Sequence, residues 1–322
     1  MTDRRSGSLD GILVLDKPAG PTSHDMVALV RRLSGTRRIG HGGTLDPFAN
    51  GVLPLFIGSA TRVVEYHLAD RKTYRATVCF GATSTTDDLE GTLEPVGGPS
   101  PDRATVDDAI ARFVGTIEQR PPAHSAIKVG GRRAYALARA GQTVELKPRT
   151  ITIHRLDLVE FDATDPVRPI AIVEVECSAG TYVRALARDL GSAIGSGAYL
   201  GALTRLASGP FRLENAVTVD RVREAAGAAA AVVASAGGLA ELLLPVEAGL
   251  ESFPRIVLSS DDVASVVRGQ FVRPHSVEPG TIGAEGPLRL VDEGGRLVAI
   301  GAWQDGRIAP DKVLVDLGRV GA

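Results

Sequence analysis

The chain has 322 residues, 44% of them hydrophobic, a formal net charge of −2 and two cysteines. That length allows a sizeable core and about two domains, in a composition ordinary for a globular protein. It holds no apolar run long enough to span a membrane, and a charge near zero excludes a uniformly basic nucleic-acid binder.

Residues 1–9 are polar, with Arg4 and Arg5 but no apolar signal core, so a cytoplasmic location is expected. Cys79 and Cys177 lack metal-ligand spacing and lie in apolar, strand-like stretches, as reduced core residues do. Charge is segregated along the chain. Arg31, Arg32, Arg37 and Arg38 form one basic group. Arg120, Lys128, Arg132, Arg133, Arg139, Lys147, Arg149 and Arg155 form another, and residues 157–176 are acidic. Such segregation suits a basic face for phosphates, or simply a solvated surface.

In chain order, residues 12–15 form a short apolar strand, followed by a rigid turn at residues 16–21. Thr22-Ser23 offers an N-cap, and Met26, Val30 and Leu33 recur at helical spacing over residues 24–33. Lys17 either braces the loop that follows or contacts phosphate.

That loop, Gly40-His41-Gly42-Gly43-Thr44-Leu45-Asp46-Pro47-Phe48-Ala49-Asn50-Gly51-Val52-Leu53-Pro54-Leu55, is too glycine-rich for a helix and too broken by proline for a central strand. Pro47 pushes Asp46 into an extended shape. Leu45, Phe48, Val52 and Leu53 anchor its flanks, so a single carboxylate is held out from the chain. Alone, an Asp-Pro pair only starts a turn. A phosphate-cradling loop fits poorly, because no Lys-Ser/Thr pair or helix pattern follows the glycines.

Residues 61–68 read as a helix and residues 73–80 as a half-buried strand with Tyr74, Ala76, Val78 and Phe80 on one face. Tyr74 by itself is a core aromatic with its hydroxyl at the rim. Residues 81–101 are turn-rich and carry Asp87 and Asp88, solvated acids or site residues. Val106, Ala109, Ile110 and Phe113 indicate another helix, and a basic helix-like run extends through Arg132, Arg133, Tyr135 and Arg139. Residues 151–161 and 170–177 are strands. The second leads into Cys177-Ser178-Ala179-Gly180-Thr181-Tyr182-Val183-Arg184-Ala185-Leu186, where a helix begins near Thr181. A strand-glycine-helix junction sets backbone N–H groups and Arg184 at a sheet edge; Arg184 is otherwise a surface ion pair. Leu203, in Leu203-Thr204-Arg205-Leu206, reads as core. Residues 224–244 are alanine-rich and helical, and a boundary falls near residues 251–254. Beyond it, strands are expected at residues 256–258, 288–291, 297–303 and 312–317.

The glycine-aspartate stretch resembles the signature of the tRNA pseudouridine synthases that modify uridine 55 in the T-loop, Gly-His-x-Gly-x-Leu-Asp-Pro-x-Ala-x-Gly-x-Leu-Pro, with every fixed position filled. The Leu-Asp-Lys-Pro-x-Gly-x-Thr-Ser opening, the Lys/Arg-x-Tyr string at Tyr74, the Cys-Ser-x-Gly-Thr-Tyr-x-Arg-x-Leu string and the Leu-x-Arg-Leu stretch are similar to further motifs of that family. The resemblance implies a mixed α/β fold of class α+β: the pseudouridine synthase sheet, mixed and largely antiparallel. It implies a catalytic domain over residues 1–250, an RNA-clamping thumb-like insertion at about 120–150, and a small PUA-like RNA-binding β-domain over 251–322. It makes Asp46 the catalytic aspartate, Arg184 its ionic partner and Tyr74 the residue that stacks on the target base. Tyr182 and Leu203 line the pocket, and His41 fills the gap left in the RNA stack. The implied partner is the T-arm stem-loop of tRNA. No cofactor, metal, membrane or obligatory protein partner is expected, and the chain is expected to be a monomer.

Pseudouridine formation breaks the bond from ribose C1′ to uracil N1 and rejoins the base through C5, with no net oxidation. A carboxylate stabilises or traps positive charge that develops at the sugar; adding to uracil C6, or taking a proton to open a glycal route, are the alternatives for Asp46. The target base must be extruded from its stack first. An RNA-binding chaperone and the catalytic subunit of a guide-RNA complex are the competing readings.

Overall fold

The protein is described by a computed structural model covering residues 9–125, 128–129, 132–133, 146–231, 237–273 and 285–315. Its strands begin with β1 (Gly11–Lys17), β2 (Ile39–His41), β3 (Asn50–Ile57) and β4 (Lys72–Phe80). A hairpin of β5 (Ala82–Ser84) and β6 (Leu93–Pro95) follows, then β7 (Gly115–Gln119). Within the expected insertion, β8 (Lys128–Val129) pairs with β9 (Arg132–Arg133), while Tyr135 and Arg139 lie outside the described residues. Next come β10 (Arg149–Asp162), β11 (Ile170–Cys177), β12 (Ala198–Ser208), β13 (Phe211–Arg212) and β14 (Val217–Thr218).

Ten of these strands form one mixed sheet, ordered β14-β1-β3-β12-β4-β11-β10-β7, with β13 beside β12 and β2 beside β3. The β1/β14 and β3/β12 pairs are parallel and the other pairings are antiparallel. The β1 sequence, Gly-Ile-Leu-Val-Leu, is apolar on both faces because both are covered. Leu13 and Leu15 pack with Met26, Val27 and Val30, whereas Ile12 and Val14 pack with Phe56 and Val63. Helix α1 (Ser23–Ser34) starts on a capping box between Thr22 and Asp25, and ends at Gly35 in the left-handed region, φ 68°. The α2 helix (Val64–Leu68) is a short continuation of a 3₁₀ turn over Gly58–Arg62. Helix α3 (Arg103–Ala111) lies against the β10 side, and α4 (Val183–Ile194) buries Val183, Leu186 and Leu190 on the β4-β11-β12 face. The alanine-rich stretch gives α5 (Val219–Ala231) and α6 (Gly237–Ala240).

Two expectations need correction. Residues 50–57 are a central strand despite Pro54. Its carbonyl accepts from Gly42 N (2.9 Å) on the β2 side, just past the end of β2, so the missing N–H faces a place where no ladder donor is required. The last strand runs earlier than residues 312–317. In the C-terminal sheet, β15 (Arg255–Val257), β16 (Leu288–Val291), β17 (Leu297–Gln304) and β18 (Arg307–Val313) lie in that order, with α7 (Ser260–Val267) packed on it. Asp305 (φ 50°) and Gly306 (φ 70°) make a two-residue hairpin that returns the chain at once, pairing Gln304 with Arg307. Pro310 is accommodated because β18 is an edge strand.

The two sheets share one apolar cluster. Val291, Leu297 and Ile300 pack with Val14, Val52, Phe56, Val63 and Leu250. Polar contacts reinforce it: Arg62 donates to the Val313 carbonyl, Tyr66 Oη lies 3.3 Å from Asp311, and Lys312 pairs with Glu65 at 3.0 Å.

Candidate active site

Asp46 sits on residues 42–49, between β2 and β3, and three neighbouring segments hold this loop. The buried Ser23 Oγ accepts from Leu45 N (2.8 Å) and donates to Leu45 O (3.1 Å). Lys17 Nζ and Gly20 N both donate to Pro47 O, at 3.2 and 2.8 Å. From β12, the buried Arg205 donates to Gly43 O (3.1 Å), Thr44 O (3.4 Å) and Val52 O (2.6 Å). The opening motif thus braces the aspartate loop, and Lys17 is a brace with no exposed surface. Gly51, at φ +99°, lets β3 start against β12: a Cβ there would lie 2.3 Å from the Arg205 carbonyl oxygen.

Arg184, in the first turn of α4, is buried and reaches two carboxylates. Its Nε lies 3.0 Å from Asp46 Oδ2, off the N–H axis, so this is a charge contact, while Nη2 donates to Asp46 Oδ1 at 3.3 Å. Nη1 donates to Asp88 Oδ2 and Thr86 O, both at 3.2 Å, and Nη2 also donates to His124 O at 3.1 Å. Arg184 is therefore not a surface ion pair. One guanidinium serves two carboxyls in a largely enclosed place. Burial pushes the Asp46 carboxyl above its usual range; Arg184 pulls it down, and Asp88 pushes it up again. The expectation that Arg184 keeps Asp46 ionised is thus opposed by desolvation. Asp46 still has 35% of its side-chain surface open, on the cavity side. The adjacent Asp87, in the left-handed region at φ 63°, pairs with Arg188 at 2.8 Å.

Asp46 and Arg184 line a cavity of about 790 Å³ together with Tyr74, Tyr182 and Leu203. Tyr182 is fixed by the buried Gln119, whose Nε2 donates to Tyr182 O (3.1 Å) and whose Oε1 accepts from Tyr182 N (2.9 Å). The Arg149 guanidinium lies 4.5 Å from the Tyr182 ring centroid. Two further lining residues, Ser125 and Arg149, have a buried Oγ and Nε that find no hydrogen-bond partner among the described residues. Leu203 is both core and wall. Tyr74 and Arg205 are cross-strand partners; burial raises the Tyr74 phenol, and the Arg205 charge lowers it. His41 is not among the lining residues. It ends β2, half-buried, and its Nδ1 accepts from Gly43 N at 3.3 Å, which leaves the proton on Nε2. Burial, then the Arg205 and His24 charges, push His41 below its usual range. Among the described residues no three His, Cys, Asp or Glu side chains gather as a metal site would need.

Gln119 escapes sequence reasoning, and so do the contacts of Arg205 and Arg149, which the sequence placed only in the Leu-x-Arg-Leu stretch and in a basic group: the partners are 63, 153 and 33 positions away, and only the register of β12 on β3 and β4 could have placed the Arg205 side chain.

Comparison with known proteins bears on this site. Residues 31–183 match the TruB family pseudouridylate synthase N-terminal domain, residues 184–251 the tRNA pseudouridylate synthase B C-terminal domain, and residues 254–314 the C-terminal unit of pseudouridine synthase II TruB. A Bradyrhizobium diazoefficiens protein named tRNA pseudouridine synthase B is 42% identical over 311 residues, covering 97% of this chain and 87% of its own. A Thermobifida fusca protein of the same name is 42% identical over 94% of this chain and 97% of its own. Among solved structures, one chain of a Cbf5-Nop10-Gar1 complex superposes with a TM-score of 0.72 at 25% identity, over 98% of this chain and 92% of that one. The chain belongs to the TruB family of pseudouridylate synthases.

Proposed function

We propose that this protein converts uridine 55 in the T-loop of tRNA to pseudouridine, with Asp46 as the catalytic carboxylate. The observation that carries this is Asp46 paired to Arg184 on the wall of a cavity whose other walls include Tyr74, Tyr182 and Leu203. The cavity holds one extruded nucleotide. Tyr74 supplies its stacking face, Tyr182 and Leu203 close on it, and Arg184 orients the carboxylate. His41, neutral and with Nε2–H available, occupies the space the uridine vacates. Breaking the C1′–N1 bond develops positive charge on the ribose, which the adjacent carboxylate stabilises. Residues 1–250 act as the catalytic domain, residues 120–150 clamp the stem-loop, and residues 251–322 contact RNA. The protein works in the cytoplasm as a monomer without cofactor or obligatory protein partner. Relatives named for tRNA are 40–42% identical, against 25% for chains of a box H/ACA sRNP Nop10-Cbf5 complex and a Cbf5-Nop10-Gar1 complex, which favours tRNA as the substrate.

Tritium release from a T-arm stem-loop carrying 5-tritiated uridine at the target position tests this reading. Wild type should release tritium and Asp46→Asn should not. Release by neither, with the RNA still bound, would replace the enzyme reading with that of an RNA chaperone.

A further inference from the structure

Two buried cations in the wall of the Asp46 cavity, Lys72 and Arg205, and a third behind its loop, Lys17, have no carboxylate in hydrogen-bond contact among the described residues. Each is caged by backbone carbonyl oxygens. Arg205 holds those of Gly43, Thr44 and Val52. Lys17 holds those of Pro18, Pro21 and Pro47 at 2.8, 2.8 and 3.2 Å. Lys72 holds those of His67, Leu68 and Asp70 at 3.3, 3.1 and 2.6 Å. Their exposures are 1%, 0% and 6%. Among the described residues none makes an ion pair within 4 Å; the nearest acid to Lys72, Asp70, directs its carboxylate to His67 instead.

Carbonyl cages satisfy N–H groups but leave the full charge in place. Burial is the main influence that pushes both lysines down, Lys17 to about 8; the Asp46 charge acts against it at Lys17 and the Asp70 charge at Lys72, and the Arg205 charge adds to it at both. Three carbonyl acceptors around each Nζ use all three hydrogens of an ammonium group. Gathering like charges in a core is costly. A brace for a loop needs donors, which neutral side chains also supply. A cluster of cations supplies something more, a positive potential directed into the cavity that Lys72 and Arg205 line beside Tyr74 and Asp46.

We propose that Arg205, Lys72 and Lys17 form a preorganised positive floor that stabilises the detached uracil as an anion. The inference rests on the proposed isomerisation. When C1′–N1 breaks, the bonding pair departs on N1 and delocalises over O2 and O4. That pair is later returned from C5 to C1′ as the new bond forms; the C5 proton is then lost to solvent and N1 takes up a proton, which restores the neutral base. The base is thus negative between the two bonds, and fixed positive charge held in a dry site acts on it without reorganising. Arg184 is occupied by Asp46 and Asp88, so the floor is a separate source of positive charge.

Single-turnover loss of the N1-linked nucleoside, read by nuclease digestion and chromatography, tests this with stem-loops carrying uridine or 5-fluorouridine at the target position. Fluorine makes the base a better anion, so its departure depends less on the floor. Lys72→Gln, which keeps an amide donor for the carbonyls, should slow uridine cleavage about 10- to 100-fold, less than the loss of a directly bonded donor. It should slow 5-fluorouridine cleavage several-fold less, leave RNA affinity within about 2-fold on the same scale, and be largely rescued by Lys72→Arg. Arg205→Gln should show the same selectivity for uridine. If that variant does not fold, the Lys72 pair carries the test. Equal slowing on both substrates with an active wild type would mean that these residues only brace the site, and would overturn the inference alone. Inactivity of the wild type on both would overturn the proposed activity and this inference with it.

Discussion

Replacing Arg184 by alanine removes the only described cation that touches both Asp46 and Asp88. Asp88, with 4% of its side chain exposed, is left as a buried charge without its guanidinium. Breaking such a pair from one side costs about 3–5 kcal/mol. For a chain of this length each kcal/mol is worth about 2 °C in Tm, so scanning calorimetry should find a fall of about 6–10 °C. Adding Asp88→Asn removes the stranded charge and should recover a large part of that fall. Catalysis suffers separately. Without Arg184, burial and Asp88 both act on the Asp46 carboxyl with less opposition, and its pKa climbs further. Single-turnover tritium release should drop about 10²- to 10³-fold at neutral pH, the scale seen when a directed charge contact is lost, and should recover partly as pH rises. RNA affinity should change far less. Equal losses in affinity and turnover, or an unchanged Tm, would refute the assignment of Arg184 as the partner of both acids.

Asp46 yields a paired prediction of activity and stability. Because its folded pKa is raised, the folded state keeps a proton that the unfolded chain releases, and stability falls as pH rises through the folded value. Asp46→Asn removes that cost and leaves Arg184 and Asp88 balanced, so the inactive variant should be at least as stable as wild type at pH 7; a Tm lower by several degrees would contradict this. Wild-type turnover should rise with pH through a pKa above the usual carboxylate range, and a profile flat down to about pH 4 would contradict burial as the dominant influence. Tyr74→Phe should retain base stacking and Tyr74→Leu should lose it, read as single-turnover rates, and indistinguishable rates for all three forms would argue against stacking. Gly51→Ala forces a Cβ to 2.3 Å from a carbonyl oxygen at positive φ, and should cost about 2–5 kcal/mol in urea unfolding; an unaltered midpoint would show that β3 shifts freely.

The parts of the site that could be read from sequence are those that depend on neighbours in the chain. Pro47 fixes the backbone at Asp46, glycines open the loop, and the junction after Cys177 starts the helix that carries Arg184. What depends on register could not be read. Pro54 looks incompatible with a central strand until Gly42 is seen opposite its carbonyl. Asp305-Gly306 is a two-residue turn that starts β18 at Arg307, five residues ahead of the strand expected at 312–317. The Leu-x-Arg-Leu stretch names Arg205 but does not show that β3 and the aspartate loop close over it. The shared use of Arg184 by Asp88 requires the β5–β6 loop to fold back onto α4.

The apolar cluster common to the two sheets bears on how this chain could be cut. A polypeptide stopped at residue 250 would expose the sides of Val14, Val52, Phe56 and Val63 that Val291, Leu297 and Ile300 now cover. A detached C-terminal piece would carry the matching greasy patch. The β15–β18 sheet is therefore a structural bulkhead for the strand that leads out of the Asp46 loop. A minimal catalytic fragment would have to be resurfaced at those positions before it could remain in solution.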